Sequence, residues 1–228
     1  MSPLAPCRRT TIDAGIPVVY LDRAVLGIDV DTVTVDNVGG ARECVRHLIT
    51  MGHRDIAVVT GSMALMTASD RLKGYKLALR EAGIAEVPEY IRAAEFRREA
   101  AFRACQELML GARRRPTAVF ACNNTILIGV LEALAKLGIR CPEDVAVAAF
   151  DDPGVPEVFR PSITAVMQPA YEIGRRGAEI LMQRIRGEAG GRPVRVELRT
   201  ELTIRESSLY AQRTASLAPA EDAYLARS

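Results

Sequence analysis

The feature that most constrains this chain is an alternation between short β-branched runs and stretches with helical spacing. Pro17–Leu21 and Val33–Val35 read as strands. The helix that follows carries Ala41, Cys44, Val45, Leu48 and Ile49 on one face and stops at Gly52. Ile56–Thr60 is a buried strand, and the next helix sets Leu72, Tyr75, Leu79 and Ala82 at spacings of three and four before Gly83. Tyr90–Ala94 is a weaker strand, and Ala101, Phe102, Cys105, Leu108 and Met109 mark another amphipathic helix. The pattern repeats with strand Thr117–Ala121, helix Ile126–Leu137 ended by Gly138, and strand Val145–Phe150. Ile163–Val166 reads as extended, Ile173–Ile185 as a helix and Val194–Ile204 as extended again. Connections this long rule out hairpins and call for parallel sheets covered by helices, an α/β fold.

Composition narrows the function classes. With 49% apolar residues, the 228-residue chain can bury a sizeable core. A net charge of +2 points neither toward nucleic acid nor away from it. Lysine occurs only at Lys73, Lys76 and Lys136, so arginine is the default cation, and Arg113-Arg114-Arg115 reads as a solvated loop before Pro116. Five scattered cysteines without a C-x-x-C suggest reduced thiols rather than a disulfide framework. His47 and His53 are six apart, which puts them on different faces and suggests no shared metal. No apolar run is long enough to span a bilayer, and Met1–Arg9 lacks the charged-then-apolar order of a signal peptide, so a cytoplasmic protein is expected.

In open parallel sheets, ligands bind outside the carboxyl ends of the strands. The residues just beyond the strands are Asp22-Arg23, Gly61-Ser62, Glu95-Phe96, Asn123-Asn124 and Asp151-Asp152. Any one of these is more often a helix cap or turn residue. Their recurrence along one edge is what suggests a site. Carboxylates, a carboxamide and an arginine can each make two hydrogen bonds, and Phe96 adds a flat apolar face. That mix suits a hydroxylated ring, a sugar or a nucleoside. Gly39-Gly40 and Gly61 fit neither G-x-G-x-x-G nor a P-loop, so a polyphosphate is not indicated. Asp151-Asp152 could be imagined as an acid/base pair, but adjacent residues rarely converge on one bond, and no enzyme is expected.

Several stretches then fall into a familiar order. They are Val35-Asp36-Asn37, His47-Leu48, Gly52-His53-Arg54-Asp55-Ile56-Ala57, Arg71-Leu-Lys-Gly74-Tyr75 and Pro116–Asn124. Gly138–Val145, Ala149-Phe-Asp151-Asp152, Pro161–Thr164, Gln168-Pro169, Ile173-Gly174 and Glu201–Ser207 complete the series. In that order, over roughly residues 15–207, the chain resembles the effector-sensing part of LacI/GalR bacterial transcription regulators. The resemblance implies a periplasmic-binding-protein-like type I fold: two Rossmann-like lobes, an effector in the cleft, and a hinge crossed three times. It implies effector contacts at Asp22, Arg71, Phe96, Asn123, Asp151 and Gln168, with no cofactor and no metal.

The lobes implied are a partial first lobe over 16–36 and 168–187, and a complete second lobe over 37–167 and 194–206. Residues 1–15 and the polar tail 207–228 are expected to be disordered. No helix-turn-helix precedes the sensor, so a gene fragment or a misassigned start is expected, with operator DNA reached only through a headpiece absent from this chain. The implied partners are a small-molecule effector and a second copy, through the Val155–Phe159 loop and the Ala101–Met109 helix, with no membrane. Asn124 stands where the family usually has Asp, and Ala149 where it usually has Gly, which would put a methyl near the cleft. A sugar-importer binding protein shares the fold and is the alternative.

Overall fold

The structure is a computed structural model that describes residues 14–24, 29–154, 158–188 and 190–209. In chain order its strands are β1 (Val19–Leu21), β2 (Asp31–Val35), β3 (Ile56–Thr60), β4 (Ile91–Ala93), β5 (Ala118–Ala121), β6 (Ala146–Phe150), β7 (Thr164–Met167), β8 (Arg195–Leu198) and β9 (Glu201–Thr203). The helices are α1 (Asn37–Thr50), α2 (Met66–Glu81), α3 (Arg98–Gly111), α4 (Asn124–Lys136) and α5 (Ala170–Ile185). The strands form two sheets: three strands in the order β1-β2-β8, and six in the order β4-β3-β5-β6-β7-β9. Every pairing is parallel except that of β9 with β7.

The large sheet is covered. β3, β5 and β6 are buried at every position, as expected of apolar runs in parallel strands flanked by helices. α1 packs on α2 and α3 on α4, each pair at a glycine. A methyl at Gly74 would collide with the carbonyl of Val38, and one at Gly129 with that of Arg98, so these glycines let the helices cross closely. The α3 face set out by Ala101, Ala104, Cys105, Leu108 and Met109 lies inside this core. That face is spent on the core, while Leu110 on the same helix is exposed. Ala149 is also fully buried, between Ala121 and Ala165, two residues before Asp151.

The small sheet is held differently. α5 lies on β1 and β2 through Ile173, Gly177 and Ile180, while its Tyr171, Met182 and Ile185 face outward. Its far end is fastened by Arg184, which grips both oxygens of buried Asp31 at 2.7 Å. Asp31 also accepts the Val194 N–H at 2.7 Å, drawing β8 into place.

The chain passes between the sheets three times: from β2 to α1, from β7 to α5, and from β8 to β9. The third passage corrects the lobe boundaries. Val194–Ile204 does not belong to one lobe, because Arg195–Leu198 pairs with β2 and only Glu201–Thr203 joins β7. A sequence that is extended throughout carries no mark of where it changes sheets. The expected disordered tail also begins too early. Ser207 and Ser208 are fully buried: Ser207 donates to the Val147 carbonyl at 2.6 Å, and Ser208 meets His47 at 2.8 Å. Residues 1–13, 155–157 and 210–228, on which the remaining disorder and part of the loop expectation fall, lie outside the described residues. Among the described residues, no helix is long and apolar enough to cross a membrane.

Candidate effector site

Among the described residues, four besides glycine have positive φ: Asp22 (68°), Glu95 (49°), Phe96 (56°) and Asp151 (68°). All four sit just past the carboxyl end of a strand, after β1, β4 and β6. Left-handed backbone at such residues costs on the order of 1–3 kcal/mol each, and residues of this kind cluster at ligand sites. Three of the four are among the six residues singled out from the sequence.

The centre of the cluster is Arg71, on α2 and only 3% exposed. Its Nη1 donates to the Cys122 carbonyl at 2.7 Å and to Asp151 Oδ2 at 3.2 Å, and its Nε donates to Asn37 Oδ1 at 2.8 Å. The guanidinium lies 3.7 Å above the Phe150 ring centroid, a cation–π contact. Asp151 uses its other oxygen to accept from Gln168 Nε2 at 2.5 Å. Gln168 stands on the passage from β7 to α5, and its Oε1 is buried without a partner. Arg71, Asp151 and Gln168 therefore form one hydrogen-bonded chain from α2, across the end of β6, to the passage between the sheets.

The other three residues are not bonded into this chain. Asn123 follows the Cys122 carbonyl that Arg71 holds, and its Oδ1 caps α4 by accepting from Ile126 N at 2.8 Å. Its amide nitrogen remains for other work. The Phe96 ring lies against Gly61, where a methyl would overlap it, so glycine makes room for that ring after β3. Asp22, after β1 of the small sheet, pairs at 3.6 Å with exposed Arg23. Asp151 and Asp152 diverge: Asp152, 7% exposed at its side chain, binds Arg205 at 2.5 Å. They do not form a carboxylate pair.

Two neighbours went unselected in the sequence. Asn37 was legible only as part of a motif, since nothing in its local spacing says that it meets a residue 34 positions away. Phe150 looked like any core strand residue. Cys122, beside the cluster, is no nucleophile, because burial pushes its thiol up to about 12. Among the described residues, no group of three or more His, Cys, Asp or Glu is placed to hold a metal ion.

A parallel three-stranded sheet and a mostly parallel six-stranded sheet, joined by three passages and carrying polar groups just past their strand ends, define a two-lobed α/β binding fold. The chain belongs to the periplasmic binding protein-like domain family, whose model matches residues 45–208. Its relatives are LacI-type regulators, in keeping with the likeness read from the motifs. It is 38% identical over 200 residues to the HTH-type transcriptional regulator CelR of Thermobifida fusca, covering 86% of this chain and 57% of that protein. The solved transcriptional regulator CelR–cellobiose complex superposes with a TM-score of 0.82 at 38% identity, covering 89% of this chain and 62% of that one. A regulatory protein of the LacI family from Chloroflexus aggregans gives a TM-score of 0.79 at 30% identity, covering 89% and 72%. The chain thus spans a little over half the length of the regulator CelR.

Proposed function

We propose that this chain is the effector-sensing portion of a cytoplasmic LacI-type transcription regulator, and that its effector is a saccharide or a nucleoside-like hydroxylated ring. The observation that carries this is the Arg71–Asp151–Gln168 chain, with Asp151 at a left-handed strand end and Gln168 on the passage between the sheets. Ring hydroxyls would exchange hydrogen bonds with Asp151, Gln168 and Asn123, while Phe96 covers an apolar ring face. Asp22 would close the site from the small sheet. The likeness to a regulator solved with cellobiose favours the saccharide. Effector binding would shift the balance between lobe arrangements, and operator DNA would respond through a separate headpiece.

Calorimetric titration with cellobiose, and with adenosine as the nucleoside probe, tests this. Asp151→Asn and Arg71→Lys should each weaken the bound probe roughly ten- to a hundredfold, the scale of one charge-assisted hydrogen bond. Unchanged affinity in both variants, or no binding of either probe by the unaltered protein, would refute the site or the ligand class.

A second copy would dock on the exposed face of α4. Ile128 is 41% exposed there and Val158 75%, beside Leu131 and Phe159, in a cavity of about 730 Å³. Ile128→Asp should shift sedimentation from dimer to monomer. A dimer that survives the substitution would exclude this face.

A further inference from the structure

We propose that Asn37 is a positioning residue that couples the effector side of Arg71 to the small sheet. This rests on the placement of Arg71 in the effector site and deepens it into a route of regulation. Asn37 is 2% exposed at the first position of α1, where the chain leaves β2. Its Oδ1 accepts from Arg71 Nε at 2.8 Å, and its Nδ2 donates to the Val35 carbonyl at 3.1 Å. The orientation of the amide is forced, since a guanidinium only donates and a carbonyl only accepts.

The two ends of this carboxamide belong to different sheets. Val35 closes β2, the central strand of the small sheet, and the next N–H, that of Asp36, bonds the Leu198 carbonyl at 2.9 Å. That bond ties the first passage between the sheets to the third. Arg71's other partners, Cys122, Phe150 and Asp151, all lie at the ends of large-sheet strands. A ligand that re-aims Arg71 therefore pulls on the small sheet through Asn37. An asparagine that merely terminates β2 would need the Val35 bond alone, and would leave Arg71 and Asp36 independent.

Amide exchange measured by NMR on the protein without ligand separates these cases. Asp36 N–H is the reporter, Arg71 Nε–H a second one, and Val58 and Val119 N–H report that the core is intact. Arg71→Lys removes the Nε donor and should speed Asp36 exchange roughly tenfold, the scale of one lost buried hydrogen bond. Asn37→Ala should do the same, and the double variant should be no faster than either, because residues on one path do not add. Asn37→Asp should keep Arg71 Nε–H protected yet speed Asp36, since a carboxylate cannot donate to Val35. Should Asn37→Ala not fold, Arg71→Lys placed on Asn37→Asp decides: no further change at Asp36 supports the coupling. Asp36 exchange indifferent to Arg71→Lys, or effects that multiply in the double variant, would overturn it. No ligand enters this cycle, so a failure to bind cellobiose or adenosine would count against the proposed function and not against this coupling.

Discussion

The two sheets are both built on parallel strands, but they differ in how they are covered. In the large sheet β3, β5 and β6 are buried throughout between packed helix pairs, with Phe120 and Phe150 fully enclosed. In the small sheet β1 and β8 are at best half-buried, and α5 keeps Tyr171 80% exposed on its outer side. Where the large sheet relies on apolar burial, the small sheet relies on a bidentate ion pair, Arg184 with Asp31. Parallel strands gain their stability from cover on both faces rather than from strand propensity. The covered sheet should then be the rigid body, and the sparsely covered one the part that moves.

The comparison breaks most directly at Phe120. Phe120→Ala should destabilise the large sheet by about 3–5 kcal/mol, the usual cost of emptying a fully buried aromatic site. Amide exchange would speed at Ile56–Thr60 and Val145–Phe150, while Ile173–Ile185, expected to exchange through its own local opening, would hardly change. Equal acceleration in both sets would mean that the sheets open as one unit.

Acid should act on the small sheet first. The hydrogen bond from Arg184 holds the Asp31 carboxyl below its ordinary value, with burial pulling the other way. A lowered value in the folded state means stability that is complete above the ordinary aspartate value of about 4 and fades as pH falls through the lowered one. Protection factors in α5 should therefore drop as pH falls below about 4, ahead of those in β3 and β5, and Asp31→Asn should remove that step. A step that persists in the variant would assign it to another carboxylate.

The smallest effect sharpens the boundary itself. Asp36 caps α1 by accepting the Gly39 N–H at 2.6 Å. Asp36→Ala should cost about 1 kcal/mol, seen in thermal melts as a small loss from the large sheet only. A larger loss that also loosens α5 would show that the first passage carries load between the lobes.

The sequence by itself determined the order of strands and helices, the parallel α/β class, and the strand ends at which polar residues collect. Those are local properties: period reports which face is buried, and turn residues report where an element stops. Asp22, Phe96 and Asp151 were legible for that reason, each directly past a β-branched or apolar run. Only the tertiary structure decided that Arg71 meets Asp151 across 80 positions, that Asn37 joins Arg71, and that Arg195–Leu198 and Glu201–Thr203 part into different sheets. It also decided that the α3 stripe is spent on α4 and that Ser207 and Ser208 close the core. An apolar stripe or an extended run states that a partner is needed, but the choice among partners depends on contacts far apart in the chain, which no local pattern records.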